Sequence, residues 1–123
     1  MTRDEILKMP AGREMDVEIA RIFGSPELWF LGNVKHDGLE WYVGPKFSRD
    51  IDAAWVIAEK FASDGWEVTV EKSTIDGLEK LAWRCWLNYF TDNPEEHRNA
   101  EGVDNRASLA ICRAALLTTL EEQ

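Results

Sequence analysis

The chain has 123 residues, with 14 Lys and Arg against 23 Asp and Glu, for a formal net charge of −9. Its 45% hydrophobic and 30% charged content is that of one folded domain over 1–123 and excludes wholesale disorder. No apolar run nears the ~18 residues that span a bilayer, and the acidic balance disfavours nucleic-acid backbones, so a cytoplasmic protein bound to neither membrane nor nucleic acid is expected.

Thr2-Arg3-Asp4-Glu5 has the spacing of a capping box, and Pro10 interrupts the turn that it opens. From Ala11, the spacing of Ala11, Met15, Ile19 and Ile22 predicts an amphipathic helix, closed by Gly24 and Pro26. Residues 27–47 read as a β-ribbon excursion. Residues 28–31 are a short apolar run, 39–43 have strand character, and Asp37-Gly38 is a hairpin turn signal between them. Ser48 is placed to cap the next helix, with Asp50 and Asp52 in its first turn. Ile51, Ala54, Trp55, Ala58, Phe61 and Ala62 form its expected apolar face, and Asp64-Gly65 ends it. Trp55 is expected to be a core residue whose deletion costs ~3–5 kcal/mol.

Trp66, Val68 and Val70 alternate with Glu67, Thr69 and Glu71, the pattern of a half-buried strand. After a turn at Asp76-Gly77, both alternating sets of residues 81–90 are largely apolar, as in a central strand covered on both faces. Residues 91–105, with Asn93-Pro94, Glu95, Glu96 and His97, read as a polar loop. Residues 107–120 then form a helix, with Ala110, Ile111, Ala114, Leu117 and Leu120 on its buried stripe. This order predicts an α/β fold: a three-layer α-β-α sandwich with a small, mainly antiparallel sheet and helices on both faces.

No phosphate loop, nucleophile elbow or metal-ligand spacing occurs, and Glu95-Glu96-His97 are consecutive loop residues that do not converge on one ion. Cys85 and Cys112 fall within apolar patterns and read as reduced core thiols. The expectation is therefore a protein that is not an enzyme and uses no cofactor and no metal. Binding chemistry is better represented. Trp41, Arg49, Arg84, Trp86 and Arg106 are the candidate ligand-binding residues. Arg84 lies between Trp83 and Trp86, and aromatic and guanidinium groups together can stack a planar ring and neutralise a phosphate. The structural alternative pairs Arg84 with Glu67 or Glu71 across the sheet. Arg49 and Arg106 stand at helix beginnings, where they can join backbone amides around an anion or pair with nearby carboxylates. The six Trp exceed what one small core readily hides, which predicts a homo-oligomer.

Three blocks are recognisable in order. Residues 11–16, Ala-Gly-Arg-Glu-Met-Asp, resemble the first helix of the phage ABA-sandwich domain family of phage and prophage proteins. Residues 48–55, from Ser48 through Asp50-Ile51-Asp52-Ala53-Ala54-Trp55, resemble its S/T-D-I-x-A-A-W helix opening, with Arg49 intervening. Residues 110–116, Ala-Ile-Cys-Arg-Ala-Ala-Leu, are similar to its C-terminal AICRAAL helix, whereas 25–47 depart from the pattern. The resemblance implies a three-layer fold and, for a phage-encoded chain, residence in the host cytoplasm. By analogy with compact phage proteins that capture nucleotide signals, it suggests a binder of a small anionic, nucleotide-like ligand that sequesters a signal of antiviral defence. The alternative is a protein–protein interaction module, an acidic decoy that inhibits a host protein.

Overall fold

In the computed structural model, the Thr2 hydroxyl accepts from the Glu5 amide and the Glu5 carboxylate accepts from the Thr2 amide, both at 3.2 Å. This is the expected capping box, and it opens α1, Arg3–Lys8. The structure describes residues 1–23, 33–36, 39–42, 45–74 and 81–120, with the backbone alone at 33–36, 39–42, 73, 74 and 81. The helix-closing Gly24 and Pro26, the apolar run at 28–31 and the turns at Asp37-Gly38 and Asp76-Gly77 lie outside the described residues.

Helix α2 spans Arg13–Phe23 and buries Met15, Asp16, Ile19 and Ala20. Ile22, expected on that stripe, is exposed. Strands β1, Asn33–His36, and β2, Leu39–Tyr42, form an antiparallel ribbon with Asn33 opposite Tyr42; its first strand follows the apolar run at 28–31 and does not coincide with it. Helix α3 runs from Ile51 to Ser63. Its cap is Asp50, whose carboxylate accepts from the Asp52 amide, and not Ser48, which is fully buried and bonded elsewhere. Its buried arc is Ala54, Ile57, Ala58 and Phe61, so Ile51 and Trp55 are each left 46% exposed. Apolar residues occupy more than one arc of this helix, and the arc with small Ala54 and Ala58 is the one that approaches closely. Gly65, at φ +94°, turns the chain out of α3 in a conformation that side chains rarely adopt.

Strands β3, Glu67–Thr74, β4, Leu81–Tyr89, and β5, Arg98–Asp104, form an antiparallel sheet with β4 central. The expected polar loop thus contains a 3-10 turn, Pro94–Glu96, and then β5. Its buried positions are Ala100 and Gly102, too small to make a hydrophobic alternation, which is why it does not read as a strand. Cys85 and Leu87 of β4 and Ala100 join the core, with Val68, Val70 and Trp83 packed against it.

Helix α4, Ala107–Leu117, lies on β4 and β5, while α3 packs on α4 and β3, and α1 and α2 also reach α4. Neighbours on so many sides explain why it buries Leu109, Cys112, Ala115 and Leu116 as well as the expected Ala110, Ile111, Ala114 and Leu117. The architecture is the expected α/β class, an antiparallel sheet with helices packed against it.

Candidate functional site

Of the predicted site residues whose side chains are described, Arg49, Arg84 and Arg106 have different neighbours. Arg84 and Trp86 do meet, with the guanidinium carbon 5.6 Å from the indole centroid. They alternate with Cys85 and Leu87, so they occupy the sheet face opposite the α4 side. The Arg84 Nε is 3.8 Å from a Glu101 carboxylate oxygen on β5. Arg84 thus has a cross-strand carboxylate in Glu101, which sequence reasoning did not name, and Glu71 is its register partner on β3. Trp41 sits opposite Val34 in the ribbon, and its side chain lies outside what is described.

Arg49 is engaged elsewhere. Its Nε and Nη2 donate to Asp16 Oδ2 at 3.0 and 2.7 Å, while Asp16 Oδ1 accepts from the Ser48 amide at 2.7 Å and hydroxyl at 2.6 Å. Asp16 is fully buried, and the four donors shared between its two oxygens offset the cost of burying so polar a group. The Ser48 hydroxyl also accepts from the Gly12 amide at 2.9 Å, and Ser108 Oγ donates to the Ser48 carbonyl at 3.0 Å. Asp16 of α2 thereby holds the segment before α3, and Ser48 of that segment in turn accepts from the first turn of α4.

Arg106 stands at the N-cap of α4, and its side chain makes no capping hydrogen bond to the first-turn amides. Beside it is a cavity of about 300 Å³ lined by Lys8, Pro10, Ala11, Asp104, Asn105, Arg106, Leu109 and Arg113. Three cations thus face one carboxylate in a chain whose net charge is −9. Arg113 is the least free of the three. It donates to the Val103 carbonyl at 2.8 Å, the Met9 carbonyl at 3.1 Å and Asp104 Oδ1 at 3.3 Å, and so fixes the floor. Asp104 is further occupied by the Arg106 amide, at 3.0 Å. Lys8 and Arg106 are exposed, and their side chains have no ion-pair partner among the described residues. The N-terminal amides of an α-helix add partial positive charge at the same place. The cavity is at the small end of ligand pockets, which run from roughly 300 Å³ upward.

Sequence reasoning found Arg106 and its helix terminus but missed Lys8 and Arg113, which tertiary packing brings from α1 and from the middle of α4. Asp16 was legible only as an acid beside Met15 on a buried arc.

Both thiols are fully buried. Burial pushes Cys85 up to about 12. Burial, with smaller contributions from Asp16 and Cys85, pushes Cys112 still further above its ordinary value. A thiol in that state is a poor nucleophile at neutral pH. His97 Nε2 lies 2.8 Å from the Thr91 carbonyl, and its ring packs edge-on against Phe90. Among the described residues no group of three or more His, Cys, Asp and Glu is placed to hold a metal ion. Among them, too, no helix is long and apolar enough to cross a membrane.

Residues 27–116 match the family model described as the phage ABA sandwich domain. The match includes the ribbon segment, expected to depart from the family, and omits α1 and α2, where the first recognisable block lies. A phage protein from Bacillus cereus ATCC 14579, solved at 2.0 Å, is similar in fold, with a TM-score of 0.56 at 23% identity. That likeness covers 90% of this chain and 93% of the other. Comparison with curated proteins finds no match.

Proposed function

Starting from the phage ABA sandwich domain family, to which this chain belongs, we propose that the protein is a non-enzymatic binder of a small anionic ligand. The ligand class is nucleotide-like, and the biological role is sequestration of a host nucleotide signal of antiviral defence. One observation carries this reading: an acidic protein gathers Lys8, Arg106 and Arg113 beside a helix N-terminus that lacks a side-chain cap. Lys8 and Arg106 contact the anion, and Arg113 positions the floor through its carbonyl bonds. The walls of Pro10, Ala11 and Leu109 give an apolar moiety somewhere to lie. Arg49 and Arg84 have protein carboxylates as partners and are not part of this site.

Calorimetric titration of mononucleotides and cyclic dinucleotides, at low and at physiological salt, tests the proposal. Arg106→Gln and Lys8→Gln are each expected to weaken binding by about 1.5–3 kcal/mol, the range for a hydrogen bond to a charged group. Arg84→Gln is expected to leave the affinity unchanged. Equal affinities for wild type and Arg106→Gln overturn the reading.

The second reading, a protein-interaction module, is favoured by a different part of the surface, the outer side of α3.

A further inference from the structure

Ile51, Trp55 and Val56 make up half of the large hydrophobic residues left exposed among the described residues, the others being Met1, Ile22 and Phe90. All three stand on α3, at 45–46% exposure. At about 100° of turn per residue, Ile51, Trp55 and Ala62 share one stripe of this helix. Asp52, Glu59 and Ser63 share the stripe beside it, and all six of these residues are exposed. Lys60 lies beyond Val56, away from the tryptophan, so a row of carboxylates borders the indole on that side. A Trp in such a setting has the composition of an interface anchor and not of a solvated helix face, which needs no indole.

We infer that the Ile51–Trp55 stripe of α3 docks a protein partner that offers an apolar slot for the indole and a basic rim for Asp52 and Glu59. Charge decides the occupant. Two copies of this chain bring together two bodies of net charge −9 and two sets of Asp52 and Glu59, whereas a basic surface meets the acidic stripe with opposite sign. The inference is independent of anion binding at the α4 terminus, because none of its residues lines that cavity.

The full chain is titrated with two dye-labelled peptides of equal length and positive charge, one an amphipathic Leu/Lys sequence and one with Ser in place of every Leu, and binding is read by anisotropy. The Leu/Lys peptide is expected to bind at least tenfold more tightly than the Ser/Lys peptide. Trp55→Ser is expected to abolish that preference with an unchanged melting temperature. The double variant Asp52→Asn, Glu59→Gln is expected to weaken binding and flatten its salt dependence, while Arg106→Gln leaves binding as it was. Equal binding of the two peptides, absence of binding, or wild-type affinity in Trp55→Ser overturns the inference. So does light scattering that shows a wild-type dimer dissolved by Trp55→Ser, because a second copy then covers the stripe.

Discussion

Gly102 of β5 lies so close beneath α4 that a β-carbon placed on it would stand 2.1 Å from the Ala110 carbonyl oxygen. It would also stand 2.5 Å from the Ala114 amide nitrogen, so both obstacles are backbone and no rotamer can relieve them. Either α4 lifts from the sheet or β5 bends away. Gly102→Ala is therefore expected to cost about 3 kcal/mol, the upper part of the range for overpacking. Urea unfolding checks this, and a midpoint within experimental error of wild type would contradict the contact.

Asp16→Ala removes the acceptor for the Ser48 amide, the Ser48 hydroxyl and the Arg49 guanidinium at once. The expected loss is roughly 3–5 kcal/mol, as for breaking a buried ion pair. Arg49→Gln is expected to cost less, because the Arg49 side chain is 38% exposed and Asp16 keeps both Ser48 donors. Thermal melts of the two variants should rank in that order.

The thiols predict an alkaline weakness. A thiol that the fold keeps neutral contributes its full stabilisation below the ordinary value of 9.0 and loses it as pH rises to about 12 for Cys85. Above pH 9 each thiol is expected to make stability fall by about 1.4 kcal/mol per pH unit. Cys85→Ala should show a shallower decline between pH 9 and 11 than wild type in denaturant titrations. At pH 8, iodoacetamide should modify neither thiol until the protein unfolds.

Trp55 and Phe61 separate the two sides of α3. Phe61 is 6% exposed and packs against Phe23 and Trp66, with ring centroids 5.3 Å apart in each pair. Phe61→Ala is expected to cost ~3–5 kcal/mol. Trp55→Ser is expected to stay within ±0.5 kcal/mol of wild type, as exposed substitutions do. Differential scanning fluorimetry on the pair should give a large shift for the first and almost none for the second.

Periodicity made α2, α3, β3 and β4 legible, because each keeps a regular rhythm of apolar residues facing one layer. It failed where packing demands smallness or where the chain offers more than one apolar arc. Strand β5 turns Ala100 and Gly102 toward α4, so its inward face carries no large side chain to mark it. Helix α3 has apolar groups on more sides than the core needs, and tertiary contact selected Ile57 over Trp55. At the candidate site, Arg106 was visible because a helix terminus follows from local sequence. Lys8 is about a hundred positions away along the chain, and no local pattern relates the two. Arg49 pairs with Asp16, an acid of α2 that lies 33 positions earlier and that no local pattern relates to it.

Arg113 donates to the Met9 carbonyl across 104 positions of chain and to Val103 at the end of β5. The first helix is thus secured by a side chain that leaves the ribosome 104 residues after Met9. During synthesis, α1 can close its own capping box but must wait for α4 before Arg113 can hold it. Such long-range closure slows folding relative to chains held by near neighbours. The nascent chain meanwhile displays Ile6, destined for the core, to whatever surrounds the ribosome exit.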